Sequence, residues 1–483
     1  MPAYREPLLT KTKIVATIGP SSKDRKTLGE LIRAGVDVFR LNFAHGTYAE
    51  KAEVVKSVRE LSLELGHPVG ILGDLSGPKI RLGQLPESGI QTQSDETYFF
   101  IRGEQSNSDR ELTSSYAGLV DDLRIDNRIL LADGTVAMRV VAKGADRVEC
   151  VVEQPGRLLS RQGINLPGSR LNIASLTEKD LEDLKWGLSV GIDFVGLSFV
   201  RCAADIRLLR SHIQAARPQQ SPFIVAKIEK PEALDDLSNI LDETDMAMVA
   251  RGDLGVEVDI VRVPALQKRI IAACNQHRVP VITATQMLES MIDHDLPTRA
   301  EATDVANAVL DGTDAVMLSG ETAMGRHPVR VVSTMSRIIR EAEALLVSRK
   351  NLPLGTSTRS IATELTEAVT LGAIHAAERI KASLLVFFTA SGAAATAVSE
   401  LRSTVPLLAI TDSQQTSQRL TLTWGVHSIV TDICRRPVAE VAEFIKKWGQ
   451  ENGILNRGDR FVLVTTTDWS HHGKDTMLVS TIS

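Results

Sequence analysis

The segment "PFIVAKIEKPEAL", Pro222 to Leu234, places Lys227 and Glu229 at the end of a run of Phe, Ile, Val and Ala. Side chains two apart on a strand share a face, so this cation and anion either pair with each other or point together at a ligand. Polar groups end other apolar runs in the same way: Arg40, Asn42 and His45; Asp74, Lys79 and Arg81; Ser198; Arg251 and Asp253; Thr285 and Gln286; Ser319 and Glu321. Two carboxylates with no His or Cys set beside them suit a hard cation such as Mg²⁺, which takes one or two carboxylates and completes its shell with water and substrate. Glu229 and Asp253 are the expected pair. Lys227 beside them would stabilise a transferring phosphoryl group or an enolate. "GDLG", Gly252 to Gly255, can open a short helix whose N–H groups bind a carboxylate or phosphate. Each residue also has a plain structural alternative. Lys227 and Glu229 can be an ordinary ion pair, Asp253 a helix cap, and Thr285, Ser319 and His45 strand-end or turn residues.

What favours chemistry is the frame that would gather these groups. The runs "TKIVATIGP", "GVDVFRLNFAHG", "PVGILGDLSGPKIR", "GIDFVGLSFVR", "PFIVAKIEKPE", "TDMAMVARGDLG", "VPVITATQML" and "TDAVMLSGETA" read as strands, most of them followed by a helical pattern. Eight strand–helix units close a (β/α)₈ barrel, whose sites form at the C-terminal strand ends. The third and fourth runs are too far apart for an ordinary connection. The intervening "TYFFIRG", "NRILLADG" and "AMRVVAKGADRVECVVEQPG" predict a small inserted all-β domain. Beyond the polar connector "SRKNLPLGTSTRS", helices and strands alternate again in "EAVTLGAIHAAERI", "SLLVFFTAS", "ATAVSELR", "PLLAITD" and "DRFVLVTT". The expected fold class is therefore α/β, with a catalytic barrel over 1–82 and 172–347, the inserted all-β domain over 83–171 and a C-terminal α/β domain over 348–483.

Composition narrows the function. With 55 Lys and Arg against 60 Asp and Glu there is no basic excess, so no nucleic-acid partner is expected. The dispersed cysteines Cys150, Cys202, Cys274 and Cys434 form no metal-ligand spacing and predict packing roles in a reducing compartment. No apolar run reaches membrane-spanning length and the N-terminus has no signal-peptide composition, so a cytoplasmic protein with no membrane partner is expected. Neither GxxxxGK[ST] nor GxGxxG occurs, which leaves nucleotide binding undecided.

Together "TKIVATIGPSS", "FRLNFAHG", "AKIEKPE", "ARGDLGVE", "TATQMLESM", "PTRAEATDVANAVLDGTDAVMLSGETA" and "GINLPG" resemble the pyruvate kinase family over nearly the whole chain. The resemblance implies transfer of the phosphoryl group of phosphoenolpyruvate to ADP, giving pyruvate and ATP in the last step of glycolysis. By motif, Lys227 stabilises the transfer, Glu229 and Asp253 hold Mg²⁺, with Mn²⁺ as an alternative, and Gly252 and Asp253 offer N–H groups to the substrate carboxylate. Arg40 grips the moving phosphoryl group, while Asn42, His45, Arg81 and, from the inserted domain, Asp133 lie on the nucleotide side. In this family the inserted domain closes as a lid. Thr285 and Ser319 stand on the protonation side. A homotetramer and allosteric control are further family expectations.

The sequence departs from the family pattern at two places. A K⁺ site of Asn42, Asp74 and the Leu75 carbonyl has Ala44 where a Ser is usual, and Lys79 where Glu is usual. The Lys79 ammonium can replace the monovalent charge, so K⁺ is not expected to be required. "RQG", Arg161 to Gly163, stands where two lysines are usual. In the C-terminal domain the phosphate turn reads "TASGAAAT", giving Thr389, Ser391, Gly392 and Thr396, with Trp469, His471, His472 and Lys474 in "DWSHHGK". A sugar monophosphate or another anion is the expected effector. Two further classes fit part of the pattern: a Mg²⁺-dependent lyase or aldolase on a 2-oxo acid, which needs neither lid nor Arg81, and a silent scaffold protein, which should have lost Lys227, Glu229 or Asp253.

Overall fold

The computed structural model describes residues 10–103, 106, 108–169, 173–348, 364–465 and 476–482. Eight parallel strands close a barrel: β1 (Lys13–Thr17), β2 (Val38–Asn42), β3 (Gly70–Asp74), β4 (Phe194–Leu197), β5 (Phe223–Ile228), β6 (Met246–Ala250), β7 (Val281–Ala284) and β8 (Ala315–Leu318). Closure is made by β1, which pairs with β2 on one side and with β8 on the other. Both faces of each strand are covered, one by helices and one by the barrel interior, so they read as continuous apolar runs.

Helix starts are written into the chain. Thr47, Thr177 and Thr298 each form a reciprocal capping box, with Glu50, Asp180 and Glu301 respectively. The interior of the barrel is filled by Val15, Val38, Leu72, Phe194, Met246, Met248 and Ile282. Leu422, from the C-terminal domain, belongs to the same cluster, so the floor of the barrel is stoppered by another part of the chain.

Between β3 and β4 lies a six-stranded sheet ordered Ile164–Asn165, Arg128–Leu131, Val136–Lys143, Arg147–Gln154, Thr97–Ile101 and Glu111–Leu112. Tyr98, Phe100, Ile129, Val140 and Val148 give it a core of its own. The strands expected from the sequence are present; a four-residue helix, Leu119–Asp122, was not expected in an all-β unit. Arg81 bridges Gly163 where the chain leaves and re-enters the barrel.

The C-terminal sheet has the order β11 (Val426–Val430), β10 (Leu407–Thr411), β9 (Leu384–Phe388), β12 (Arg460–Thr465), β13 (Thr476–Thr481), and only β13 runs antiparallel. It docks on the barrel floor through polar contacts. Arg402 pairs with buried Asp314 at 3.0 Å, and Lys13 Nζ donates to the Val426 carbonyl at 2.8 Å. Cys150 and Cys274 are buried free thiols. Among the described residues no helix is long and apolar enough to cross a membrane.

Candidate active site

The end of β5 answers the question its sequence raises. Lys227 and Glu229 do pair, at 2.9 Å, but the pair is only part of a larger buried cluster. Lys227 Nζ also lies 3.5 Å from Asp74 Oδ1 and donates to Ser198 Oγ at 2.8 Å. Arg40 donates through Nε and Nη2 to Asp74 Oδ2 at 2.8 and 2.5 Å, and through Nη1 to Thr17 Oγ1 at 3.1 Å. Residues from β1 to β5 thus meet at one rim of the barrel. Gly196 on β4 makes this possible, because a Cβ there would stand 2.8 Å from Asp74 Oδ1.

Electrostatics follow from this packing. Burial raises the Asp74 carboxyl, but Lys227 and Arg40 outweigh it and hold it below its usual range. Burial alone would lower the Lys227 ammonium, yet Asp74 and Glu229 push it well upward, so it stays charged. Glu229 is raised, by burial first and by the charge of Asp253 as well, against the pull of Lys227. Its Oε2 accepts from the Phe199 N–H at 2.8 Å. Lys227 is the ionic partner of Oε1, but no donor among the described residues reaches that buried atom at hydrogen-bonding angles. A buried carboxylate with one oxygen fixed, the other undersatisfied and a second carboxylate acting on it fits a divalent cation. Among the described residues no group of three or more His, Cys, Asp or Glu side chains is arranged to hold a metal ion by itself. Glu229 and Asp253, close enough for the charge of one to act on the other, are the carboxylates that could hold a metal here, with substrate and water completing its shell.

"RGDLGVE" forms the helix Arg251–Glu257 directly after β6. The Gly252 N–H donates to Thr285 Oγ1 at 2.7 Å, and that hydroxyl donates to the Ala284 carbonyl at 2.6 Å. Two groups expected to meet a substrate therefore meet each other here. Thr285 and Gln286 both adopt positive φ, 71° and 52°, a conformation unusual for any non-glycine residue and most of all for a β-branched one. Arg251 holds this turn in place. Its Nη2 donates to the Thr285 carbonyl at 2.6 Å and its Nη1 to Asp304 Oδ1 at 2.8 Å. Ser319 follows β8, and its N–H donates at 2.6 Å to buried Glu321, whose other oxygen accepts from Leu288 N. Arg251 and Glu321, strand-end residues to which the sequence alone assigns no role, brace the turns that carry Thr285 and Ser319.

Around Lys79, Arg81 and His45 the arrangement is looser. Lys79 lies 3.6 Å from Asp253 Oδ1, its ion-pair partner among the described residues. A Cβ on Gly163 would stand 3.2 Å from Lys79 Cε and 3.8 Å from Asp133 Oδ1, so these three residues are neighbours. Lys79, Asp133, Gly252, Asp253 and Gln286 line one cleft of about 810 Å³ between lid and barrel. Arg81 instead donates to the Arg161 carbonyl at 3.2 Å. His45 is exposed, and its carbonyl accepts from Lys51. Of the oxygens expected around a monovalent cation, Asn42 Oδ1 accepts from Ala44 N at 3.0 Å, the Leu75 carbonyl from Ser198 Oγ at 2.6 Å and Asp74 Oδ2 from Arg40, whereas buried Asp74 Oδ1 has the Lys227 ammonium at 3.5 Å and no hydrogen-bond donor among the described residues.

In the C-terminal turn the Gly392 N–H donates to Thr389 Oγ1 at 2.9 Å and the Ala393 N–H to Ser391 Oγ at 3.4 Å. Thr396 Oγ1 donates back to the Gly392 carbonyl. Ser391, Gly392 and Thr396 line a cleft of about 340 Å³ with Arg278 and Arg419. Two arginines from distant segments thus reach the cleft, together with the Asp245 carboxylate, and Arg278 is paired with Glu367 at 2.7 Å. Trp469, His471, His472 and Lys474 lie outside the described residues.

A closed (β/α)₈ barrel with a buried lysine and carboxylates gathered at its strand ends and a β-sheet unit inserted after β3 has the architecture of a barrel enzyme, and its relatives make the class a phosphotransferase. Residues 9–332 match the family model "Pyruvate kinase, barrel domain", and residues 367–480 match "Pyruvate kinase, alpha/beta domain". The chain is 42% identical over 471 residues to "Pyruvate kinase" of Corynebacterium efficiens, covering 97% of this chain and 93% of that one. It is 41% identical over 466 residues to "Pyruvate kinase 2" of Synechocystis sp., covering 95% and 77%, and 40% identical over 452 residues to "Pyruvate kinase" of Mycobacterium tuberculosis, covering 94% of each. The chain belongs to the pyruvate kinase family.

Proposed function

We propose that the protein transfers the phosphoryl group of phosphoenolpyruvate to ADP and protonates the resulting enolate, consuming one proton and releasing pyruvate and ATP. The observation that carries this reading is the buried Lys227 ammonium, held between Asp74 and Glu229 and kept charged by them. Such a charge lowers the barrier where negative charge develops on the transferring group and on the enolate oxygen. Arg40, aligned by Asp74, grips the phosphoryl group. Gly252 and Asp253 N–H groups meet the substrate carboxylate once Thr285 Oγ1 gives up its bond to Gly252. Thr285 and Ser319 guide a proton to the enolate carbon. Asn42, His45, Arg81 and Asp133 bind the nucleotide, and the lid, within 83–171, excludes water from the phosphoryl group. Glu229 and Asp253 would hold Mg²⁺ or Mn²⁺, which would supply positive charge to neutralise the phosphoryl oxygens.

ATP formation from phosphoenolpyruvate and ADP, followed with a coupled assay, tests the reading. Activity in the wild type and a loss of at least about a hundredfold in Lys227→Met is the expected result. An inactive wild type, or an undiminished Lys227→Met, refutes it.

The same proposal includes activity without K⁺. Lys79 brings an ammonium to the metal-side carboxylate Asp253, and two oxygens of the usual cation site, Asn42 Oδ1 and the Leu75 carbonyl, each accept a hydrogen bond within the protein. Full turnover is expected with sodium or tetramethylammonium as the monovalent cation, and a collapse restored by K⁺ would sink the idea. The division into 1–82 with 172–347, 83–171 and 348–483 is part of this reading, as are a cytoplasmic homotetramer and allosteric control. An anionic effector, such as a sugar monophosphate, is assigned to Thr389, Ser391, Gly392 and Thr396, where Arg278 and Arg419 supply charge. Calorimetric titration with sugar phosphates tests it, and failure of all of them to bind removes the effector.

A further inference from the structure

Glu257 ends the helix whose first turn carries Gly252 and Asp253, and its side chain is only 2% exposed. One of its oxygens, Oε1, accepts two bonds: from Lys230 Nζ at 2.6 Å and from Asn165 Nδ2 at 2.9 Å. The three residues come from three different parts of the molecule. Asn165 is on the edge strand Ile164–Asn165 of the lid sheet, Lys230 directly follows Glu229 after β5, and Glu257 stands one helical turn from Asp253. A single buried oxygen therefore ties the lid to both segments bearing the carboxylate pair.

A second contact strengthens the link to Glu229. Lys230 Nζ lies 5.7 Å from the centre of the Phe199 ring, within range of a cation–π attraction. Phe199 has φ 56° and donates its N–H to Glu229 Oε2 at 2.8 Å. A left-handed phenylalanine persists only where its surroundings fix it, and here the strained N–H orients the Glu229 carboxylate. Lys230 thus reaches Glu229 through its own backbone and through Phe199. Asp253 and Glu257, four residues apart, are turned together by one short helix.

We infer that Glu257 is a positioning residue, a latch through which the lid sets the mutual placement of Glu229 and Asp253. It touches neither substrate nor reacting atoms. The inference rests on the reading of Glu229 and Asp253 as the metal carboxylates. Lid and carboxylate pair then share one element, so what biases the first alters the second.

The test uses the full-length protein and Mn²⁺ as probe, with free Mn²⁺ measured by electron paramagnetic resonance in the absence of substrate. Lid mobility is followed by hydrogen exchange. In Asn165→Ala the lid is expected to exchange faster and the Kd for Mn²⁺ to rise by roughly tenfold, although residue 165 is not a metal ligand. Should Asn165→Ala not fold, Glu257→Gln keeps an acceptor for Asn165 while removing the charge paired with Lys230. It is expected to weaken Mn²⁺ binding with lid protection retained. Wild-type Mn²⁺ affinity in the folded variant overturns the latch, whether or not its lid is looser. A wild-type protein that binds no Mn²⁺ overturns the metal reading and the latch with it, so the two failures are told apart.

Discussion

Replacing Asp74 with asparagine removes one negative charge at nearly constant shape, which isolates what that charge does for Arg40 and Lys227. The carboxylate is 4% exposed and sits against two cations, at 2.5 Å from Arg40 and 3.5 Å from Lys227. Removing one partner from a buried ion pair costs about 3–5 kcal/mol, because the charge left behind is neither solvated nor paired. The asparagine carbonyl still accepts one bond from Arg40, which returns about 1 kcal/mol. A net loss of about 3 kcal/mol remains, equivalent to a fall of roughly 5–10 °C in the melting midpoint of a unit of the barrel's size. Catalysis should suffer more, since Arg40 loses the group that aligns it; a misaimed transition-state donor costs about 10²–10³ in kcat. Acid titration adds a sign. Burial raises the Asp74 pKa, but Lys227 and Arg40 bring it below its ordinary value. Its contribution is then fully present above about pH 4 and disappears as pH falls through the folded-state value. The stability gap between wild type and Asp74→Asn should therefore be constant near neutrality and narrow only in acid. Thermal melts across pH and a coupled assay for ATP formation measure both effects. A variant that melts and turns over like the wild type at neutral pH would refute the claim that this cluster organises the site.

Arg251→Met removes the donors that hold the Thr285 and Gln286 carbonyls; Thr285 should relax from its positive φ, with kcat down about a hundredfold and stability down by about 1–3 kcal/mol, as read from kinetics and urea melts. Lys11, whose Nζ donates to the Ser403 and Thr404 carbonyls, has its pKa lowered to about 8 by burial, against the opposing pull of Glu343 and Glu378. Above that value the folded chain sheds a proton that the unfolded chain keeps up to its ordinary range, so stability rises with pH across this window. Urea midpoints at about pH 7.5 and about pH 9.5 should therefore shift in favour of the wild type relative to Lys11→Met.

The barrel was legible because each of its strands is buried on both faces and ends abruptly in polar residues, a pattern carried by local sequence. Lys227, Glu229 and Asp253 could be singled out for the same reason: a charge at the end of an apolar run is a local anomaly. Partners that act through space left no such mark. Asn165 and Glu257 are 92 positions apart, and each alone reads as an ordinary polar residue. The spacing of Glu257 from Asp253 puts both on one helical face, which was the one signal available. The same holds for the C-terminal turn, where Arg278 and Arg419 arrive from other elements, and for β11, a five-residue strand between short turns that no alternation announces. Lys79 shows the limit from the other side. Its identity suggested a substitute for a monovalent cation, but only the fold could bring its ammonium to Asp253. Charge type is written at a position, whereas the partner that gives the charge its use is chosen by topology. For that reason the latch at Glu257 is a property of lid and barrel together, made by Asn165 of one and Lys230 of the other.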